Sequence, residues 1–366
     1  MNWLARIFRT WDYLLYFAVI LLVILGIILI YSISLESEKS FALQQGIFAC
    51  IGLVAMIILS FVDYRALGTA SITLYVIGII FLILLLIPGV GTEIAGSTRW
   101  INLGFFQFQP SELFKLILII ILAKYYSARM GDIDFRHIVY GFLITLLPMI
   151  LILAEPDFGS AIVLFIIFIT ILIASGIRRV YLFIMGVILL IFTPITWLLL
   201  KDYQKERILS FLDPGANPFG SGYNILQSMI ATGSGRFWGR GLGYGPQSQL
   251  NFLPVQQSDF IFGVACEQLG FVGGIVILGF FGVIISRMIS LANIAKDNFG
   301  TLLAVGIAGM FIFQVLINAG MNIGIMPITG ITLPLVSYGG SSLIVSMALI
   351  GILQSIHTRH KKISFE

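Results

Sequence analysis

About ten apolar runs, most of them roughly 18 residues or longer, divide this sequence, and few folds can absorb that pattern. The runs fall near 14–34, 43–62, 70–88, 110–127, 137–154, 158–176, 180–200, 259–286, 299–320 and 336–356. A soluble domain has too little interior for them, and its surface needs more charge than 10% of residues against 59% hydrophobic. The expected fold is therefore all-α: a polytopic membrane protein with about ten transmembrane helices, one integral domain over 1–366, and one large extracytoplasmic loop at 201–258.

Lys and Arg orient the spans. With the N-terminus in the cytoplasm, inner segments hold Arg6, Arg9, Arg65, Lys124, Arg129, Arg136, Arg178, Arg179, Arg287, Lys296, Arg359, Lys361 and Lys362. Outer segments hold Lys39, Arg99, Lys201, Lys205, Arg207, Arg236 and Arg240, and Lys115 lies within a span. Both termini are thus expected inside, as an even number of spans requires. The net charge of +4 reports this bias and not an affinity for nucleic acid. The first apolar run is too long for a cleaved signal and should stay as an anchor. Cys50 and Cys266 fall within spans and form no disulfide framework. His137, His357 and His360 map to the inner side, so no zinc site or histidine base is expected on the outer face.

Most connections are short, but 201–258 is too long to be idle. KDYQKERILSFLDP reads as an amphipathic interfacial helix and GYNILQSMIATGSG as a second short one ended by glycine. The glycines of RFWGRGLGYGPQ spell no Walker loop or dinucleotide fingerprint, and suggest a loop able to fold over a large ligand. In NAGMNIGIMPITGITLPLVSYGGSSL, two prolines and repeated glycines break helix near membrane depth. Freed backbone there is tolerated only against protein or a wet cavity, so the segment is either a cavity wall or a Pro-kinked loop.

Charges at the membrane rim are expensive and are functional candidates by default. Glu112 and Lys115 share a helix face after Pro110. They could serve only the helix N-terminus, or present an ammonium to phosphate. Asp157, in the tight turn AEPDFGSA, reads as an N-cap and Glu155 as turn solvation. Glu267 could hydrogen-bond inward. Arg236 and Arg240 could grip diphosphate or merely attract anionic headgroups. Asp259 ends the polar approach FLPVQQS and begins the apolar run FIFGVAC. It could be an N-cap or first-turn acid of the helix that follows. Partial desolvation would also raise its proton affinity, which suits a general base.

Five stretches taken together resemble the SEDS family of bacterial cell-wall polymerases. They are STRWINLGFFQFQPSELFKL (97–116), EPDFGSA (155–161), YQKERILSFLDP (203–214), the segment from Gly222 to Gly270, and PITGITLPLVSYGGSSL (327–343). The EPDFGSA turn and short N-terminus resemble the family's elongation branch more than its division branch. The resemblance implies a ten-span bundle that polymerises lipid II on the outer face of the bacterial inner membrane, during elongation and rod-shape maintenance. It implies a class B penicillin-binding protein, a transpeptidase, as partner, beside lipid II and membrane lipids. The family's catalytic aspartate falls on Asp259, and its Arg-Trp and Gln-Pro-Ser-Glu-x-x-Lys elements on Arg99, Trp100, Gln109, Pro110, Ser111, Glu112 and Lys115. The candidate substrate-binding set is Arg99, Trp100, Glu112, Lys115, Asp157, Arg207, Arg236, Arg240, Gln247, Ser337, Ser341 and Ser342. One departure is Val255-Gln256-Gln257 after Pro254, where the family often carries an acid.

The implied chemistry is an inverting single displacement with Asp259 as base. The leaving diphosphate needs positive charge, from Arg99, Lys115, Arg207, Arg236, Arg240 or a divalent cation such as magnesium or manganese. No dedicated metal cage is visible, so any such ion would be shared with the diphosphate. The segment around Ser337–Ser342 would wall the cavity for the lipid tail. A lipid II flippase is the main alternative, since broken helices and intramembrane charge also suit transporters. A non-catalytic scaffold for the transpeptidase is a third.

Overall fold

Apolar sequence becomes helix here because hydrocarbon offers backbone amides no partner but each other. The structure, a computed structural model, describes residues 11–34, 41–94, 97–102, 104, 107–199, 202–218, 220 and 222–359. Arg6, Arg9, Lys39, Lys201, His360, Lys361 and Lys362 lie outside the described residues. Each of the apolar runs lies largely within a helix. In chain order these are α1 (Tyr13–Ile33), α2 (Phe41–Phe61), the short α3 (Tyr64–Thr69), α4 (Ser71–Leu85), α5 (Pro110–Ser127), α6 (Phe135–Ala154) and α7 (Phe158–Ala174). Then come α8 (Arg179–Leu199), α9 (Asp202–Leu212), α10 (Tyr223–Ser234), α11 (Pro246–Gln249), α12 (Ile261–Ile294), α13 (Asn298–Asn322) and α14 (Gly340–Arg359).

Six of them, α1, α2, α6, α12, α13 and α14, are long and apolar enough to cross a membrane. Helices α4, α7 and part of α8 are apolar but shorter. Helix α5 is 18 residues long and carries Glu112, Lys115 and Lys124, which lowers its apolarity. The molecule is thus a helical, polytopic membrane protein. Its outer helices turn apolar side chains such as Ile72, Phe183 and Leu190 outward, where acyl chains would cover them. Its inner helices α5, α7, α13 and α14 share one apolar core running from Leu15 to Ile356. Backbones meet closely in places: a Cβ on Gly351 of α14 would collide with the carbonyl oxygen of Met56 on α2.

Three departures from the expected pattern matter. First, the all-α reading is incomplete. Three short strands, β1 (Thr92–Ile94), β2 (Ser97–Asn102) and β3 (Gln107–Phe108), form a small antiparallel sheet in the order β1-β2-β3. Strand pairing sets Thr92 opposite Trp100 and Ile101 opposite Phe108. Period-two pairing over so few residues was hidden among the aromatic residues of this loop.

Second, α12 is not continuous: Gly270 sits at φ 72°, ψ −170° inside it. The glycine-rich loop fills that break. Phe271 N donates to Arg236 O at 2.8 Å and Val272 N to Phe237 O at 3.2 Å, while Arg240 N donates to Glu267 O and Gly241 N to Gln268 O, each at 3.0 Å. A Cβ on Gly270 would collide with the backbone nitrogen of Gly239, so the glycines are needed for this docking. The expectation of a loop free to fold over a ligand is corrected for 235–241.

Third, the last helix starts at Gly340 and not at 336. The irregular backbone before it is largely buried through Ile331, Leu333, Leu335, Val336 and Ser337, as irregular chain at membrane depth must be.

Candidate active site

Asp259 lies two residues before α12, on non-helical backbone, with Phe260 as the N-cap. It is therefore neither the N-cap nor a first-turn acid of that helix. Its carboxylate accepts the Ser258 hydroxyl at 2.8 Å. A Cβ on Gly330, itself at φ 72°, would lie 3.6 Å from Asp259 Oδ2, so the carboxylate stands against the backbone of the broken segment. Burial pushes the Asp259 pKa above the ordinary carboxylate value. The Ser258 hydrogen bond and the Arg207 and Arg99 charges pull it back, and Asp157 pushes it up. A part-buried carboxyl with raised proton affinity and two guanidinium groups in range can accept a proton and still face an anion.

Three other elements deliver those charges. Arg207 projects from α9 into a cavity lined by Phe158, Gln204, Ile208, Pro327, Ile328 and Thr329. Arg99, on β2 beside Trp100, donates from Nε to Glu155 O at 3.2 Å and from Nη2 to Pro156 O. Its Nη1 is 3.9 Å from Asp157 Oδ1. Asp157 caps α7 by accepting Ser160 N at 3.1 Å, and it also takes the Ser111 hydroxyl and Gln109 Nε2, each at 3.4 Å. The N-cap reading of Asp157 holds, and the same carboxylate ties α5 to the Arg99 strand. On α5, Lys115 Nζ donates to Glu112 Oε1 at 2.6 Å, both side chains buried.

Ser337, ahead of α14, and Ser341 and Ser342, in its first turn, are engaged by other groups of the protein. Ser337 Oγ donates to Ser258 O at 2.6 Å and accepts Leu333 N at 2.8 Å. Ser341 Oγ accepts Gln109 N at 2.9 Å and donates to Gln107 O at 3.3 Å, while Ser342 pairs with Thr332 at 3.1 Å. Pro327, Ile328 and Thr329 line the Arg207 cavity, and the next residue, Gly330, stands against the Asp259 carboxylate. Gln247 and Glu267 meet elsewhere: Glu267 accepts Gln247 N at 2.8 Å and Ser248 N at 3.1 Å, capping α11. Arg236 and Arg240 sit on the loop docked at the Gly270 break. Arg240 Nε holds Ser234 O at 3.1 Å, and Arg236 lines a separate apolar cavity with Phe262, Cys266 and Phe271.

Glu155 contradicts its expected solvation. It is 1% exposed, and neither carboxylate oxygen has a hydrogen-bond partner. Burial foremost, then the Asp157 charge, raises its pKa from 4.5 to about 8, with Arg99 opposing. Between those two values the folded chain binds a proton that the unfolded chain has released, so stability falls as pH rises through the window. Replacement of Glu155 by Gln is expected to abolish that fall. Thermal unfolding in detergent should show the variant more stable than the parent at pH 8 and equal to it below pH 4.5. Equal slopes in both proteins would contradict a buried, neutral Glu155.

Sequence reasoning missed Asn318 and Asn322, two buried amides four residues apart on α13 that reach the backbone of Asp259. Their signal was available: two amides on one face of an apolar helix.

Known proteins resemble this chain over nearly its whole length. The chain is 40% identical to stage V sporulation protein E of Bacillus subtilis (strain 168), covering 94% of this chain and 96% of that protein. It is 38% identical to peptidoglycan glycosyltransferase MrdB of Escherichia coli (strain K12), covering 86% of this chain and 85% of the relative. Among solved structures, a chain from a study of polymerization and crosslinking by a peptidoglycan synthase complex superimposes with a TM-score of 0.80. It is 32% identical, over 96% of this chain and 98% of that one. The crystal structure of the rod shape determining protein RodA of Thermus thermophilus gives 0.72 at 30% identity, over 99% of this chain and 100% of that one. A family model described as a cell cycle protein, covering FtsW, RodA and SpoVE, matches residues 12–362, and the chain belongs to that family.

Proposed function

We propose that this chain is a peptidoglycan glycosyltransferase that joins lipid II into β-1,4-linked glycan strands by an inverting single displacement with Asp259 as general base. One observation carries the mechanism. The Asp259 carboxylate is held on irregular backbone within the influence of Arg207 and Arg99, beside the segment that lines the Arg207 cavity. Support for the activity comes from the relatives named as peptidoglycan glycosyltransferases.

Lipid II presents its sugar through an α-linked diphosphate, and the product is β-linked, so the anomeric centre inverts once. Asp259 takes the proton of the acceptor 4-hydroxyl as that oxygen attacks the donor's anomeric carbon. Undecaprenyl diphosphate departs as an anion that needs charge and no proton, and Arg207 with Arg99 supplies that charge. Among the described residues no three His, Cys, Asp or Glu side chains converge on one point. A divalent ion, magnesium or manganese, would therefore take most of its ligands from the diphosphate, and would add Lewis-acid stabilisation of the leaving group.

Ten helices would cross the bacterial inner membrane as one integral domain, with both termini in the cytoplasm and 201–258 as an outer loop that places the site on the outer face. A class B penicillin-binding protein is the fitting partner, since one similar chain comes from a complex that coordinates polymerization and crosslinking. Purified chain in detergent with lipid II alone is expected to yield a ladder of glycan lengths on a gel. Transfer of lipid II across a vesicle bilayer without any glycan product would favour a flippase. No glycan product from the chain, alone or with the transpeptidase added, and no transfer across the bilayer would make the chain a scaffold.

A further inference from the structure

We infer that the side-chain amide of Asn322, backed by Asn318, is a clip that replaces one backbone hydrogen bond of α12 and thereby sets the direction of Asp259. In a regular helix the carbonyl of Asp259 would accept the amide of Gly263, four residues on. Here that bond is absent and Asn322 stands between the two groups. Its Nδ2 donates to Asp259 O at 3.1 Å, and its Oδ1 accepts Gly263 N at 3.0 Å. The helix's own ladder resumes with Val264 N to Phe260 O at 3.1 Å. The clip holds Asp259 one step outside the helix, so its side chain follows the irregular backbone toward Gly330 and not the helical face.

The amide cannot turn over. Ser228 Oγ also donates to Asn322 Oδ1, at 3.1 Å, and the second Nδ2 proton goes to Asn318 O at 2.8 Å. Gly263 has no side chain for the same reason: a Cβ there would lie 2.8 Å from Asn322 Oδ1. Asn318 adds a second tie, donating to Asp259 O at 3.0 Å and to Ile331 O at 2.8 Å. It therefore binds the carrier of the carboxylate and the residue next to Gly330 with one group. Both amides are 0% exposed, and Asn318 Oδ1 finds no partner. An unmet acceptor inside apolar packing is unfavourable and marks a group retained for what its donor does.

The inference rests on Asp259 being the base, and a misplacement of about 1 Å can lower turnover roughly a hundredfold. Asn322→Ala removes the clip. Asn322→Leu keeps its volume but can neither donate to Asp259 O nor accept Gly263 N. Each is purified beside the parent, Asp259→Asn and the buried Gln314→Leu of the same helix, and assayed with lipid II. A folded Asn322 variant is expected to lose kcat by about 30-fold or more with KM within about threefold, while Gln314→Leu stays near the parent. A folded Asn322 variant with kcat within about threefold of the parent, or a loss confined to KM, overturns the clip while leaving the base intact. An active Asp259→Asn overturns the base and the clip with it. Failure of both Asn322 variants to fold makes the amide a folding element and overturns its positioning role.

Discussion

Replacing Asp259 by Asn should leave the chain folded and polymerisation lost. The substitution keeps the side chain's shape and its contact with the Ser258 hydroxyl. The ties to the Asp259 backbone are to its carbonyl, from Asn318 and Asn322, and do not sense the side chain. Stability should hold or rise, because burial disfavours the ionised carboxyl that the variant no longer has. The sign follows from linkage: a carboxyl with a raised folded pKa weakens the fold as pH climbs past its unfolded value, and the amide removes that dependence. Turnover should fall by about 10²–10⁴, the contribution of a positioned base. In the parent, activity should rise with pH through the raised Asp259 pKa and then level; the variant's residual activity should lack that limb. Product near the parental level from the folded Asp259→Asn variant would exclude the base.

Breaking the Glu112–Lys115 pair is expected to have the next largest effect. The two charges meet at 2.6 Å, with side chains 8% and 3% exposed, near the start of α5. Lys115→Met leaves the Glu112 carboxylate buried and unpaired, at a cost of about 3–5 kcal/mol. Folded yield and thermal midpoint should both drop sharply. Glu112→Gln combined with Lys115→Met removes both charges and should restore most of that stability. Glycan output then separates the roles the pair could play. If the ammonium also serves the substrate diphosphate, the double variant folds and stays slow. A double variant that regains both midpoint and turnover reduces the pair to a structural device.

The helices were legible because apolar runs of spanning length have one outcome in hydrocarbon. The two helices of the long loop, 202–212 and 223–234, were legible too, from spacing and the terminal glycine. The broken α12 was not. Gly270 looks like any glycine of an apolar span, and its φ of 72° answers to the loop from Arg236 to Gly241 docking there. The strands at 92–108 were missed for a related reason, since pairing in so short a sheet depends on partners and not on local pattern.

The same division runs through the site. Residue type alone named Asp259, Asp157, Glu112 and Lys115, because charge near hydrocarbon is unfavourable and needs a use, and the family resemblance added Arg99 and Arg207. Sequence also determined which of them are helical neighbours, as with Glu112 and Lys115, since three residues make nearly one turn. Tertiary structure decided the rest. It put Arg207 and Arg99 in range of Asp259, turned Ser337 onto the Ser258 carbonyl, and sent Arg236 and Arg240 to the Gly270 break. It also buried Glu155 without a partner and brought the α13 amides to the Asp259 backbone. Such outcomes depend on which buried groups satisfy one another across long stretches of chain, such as the 59 residues separating Asp259 from Asn318, and local pattern carries no record of that.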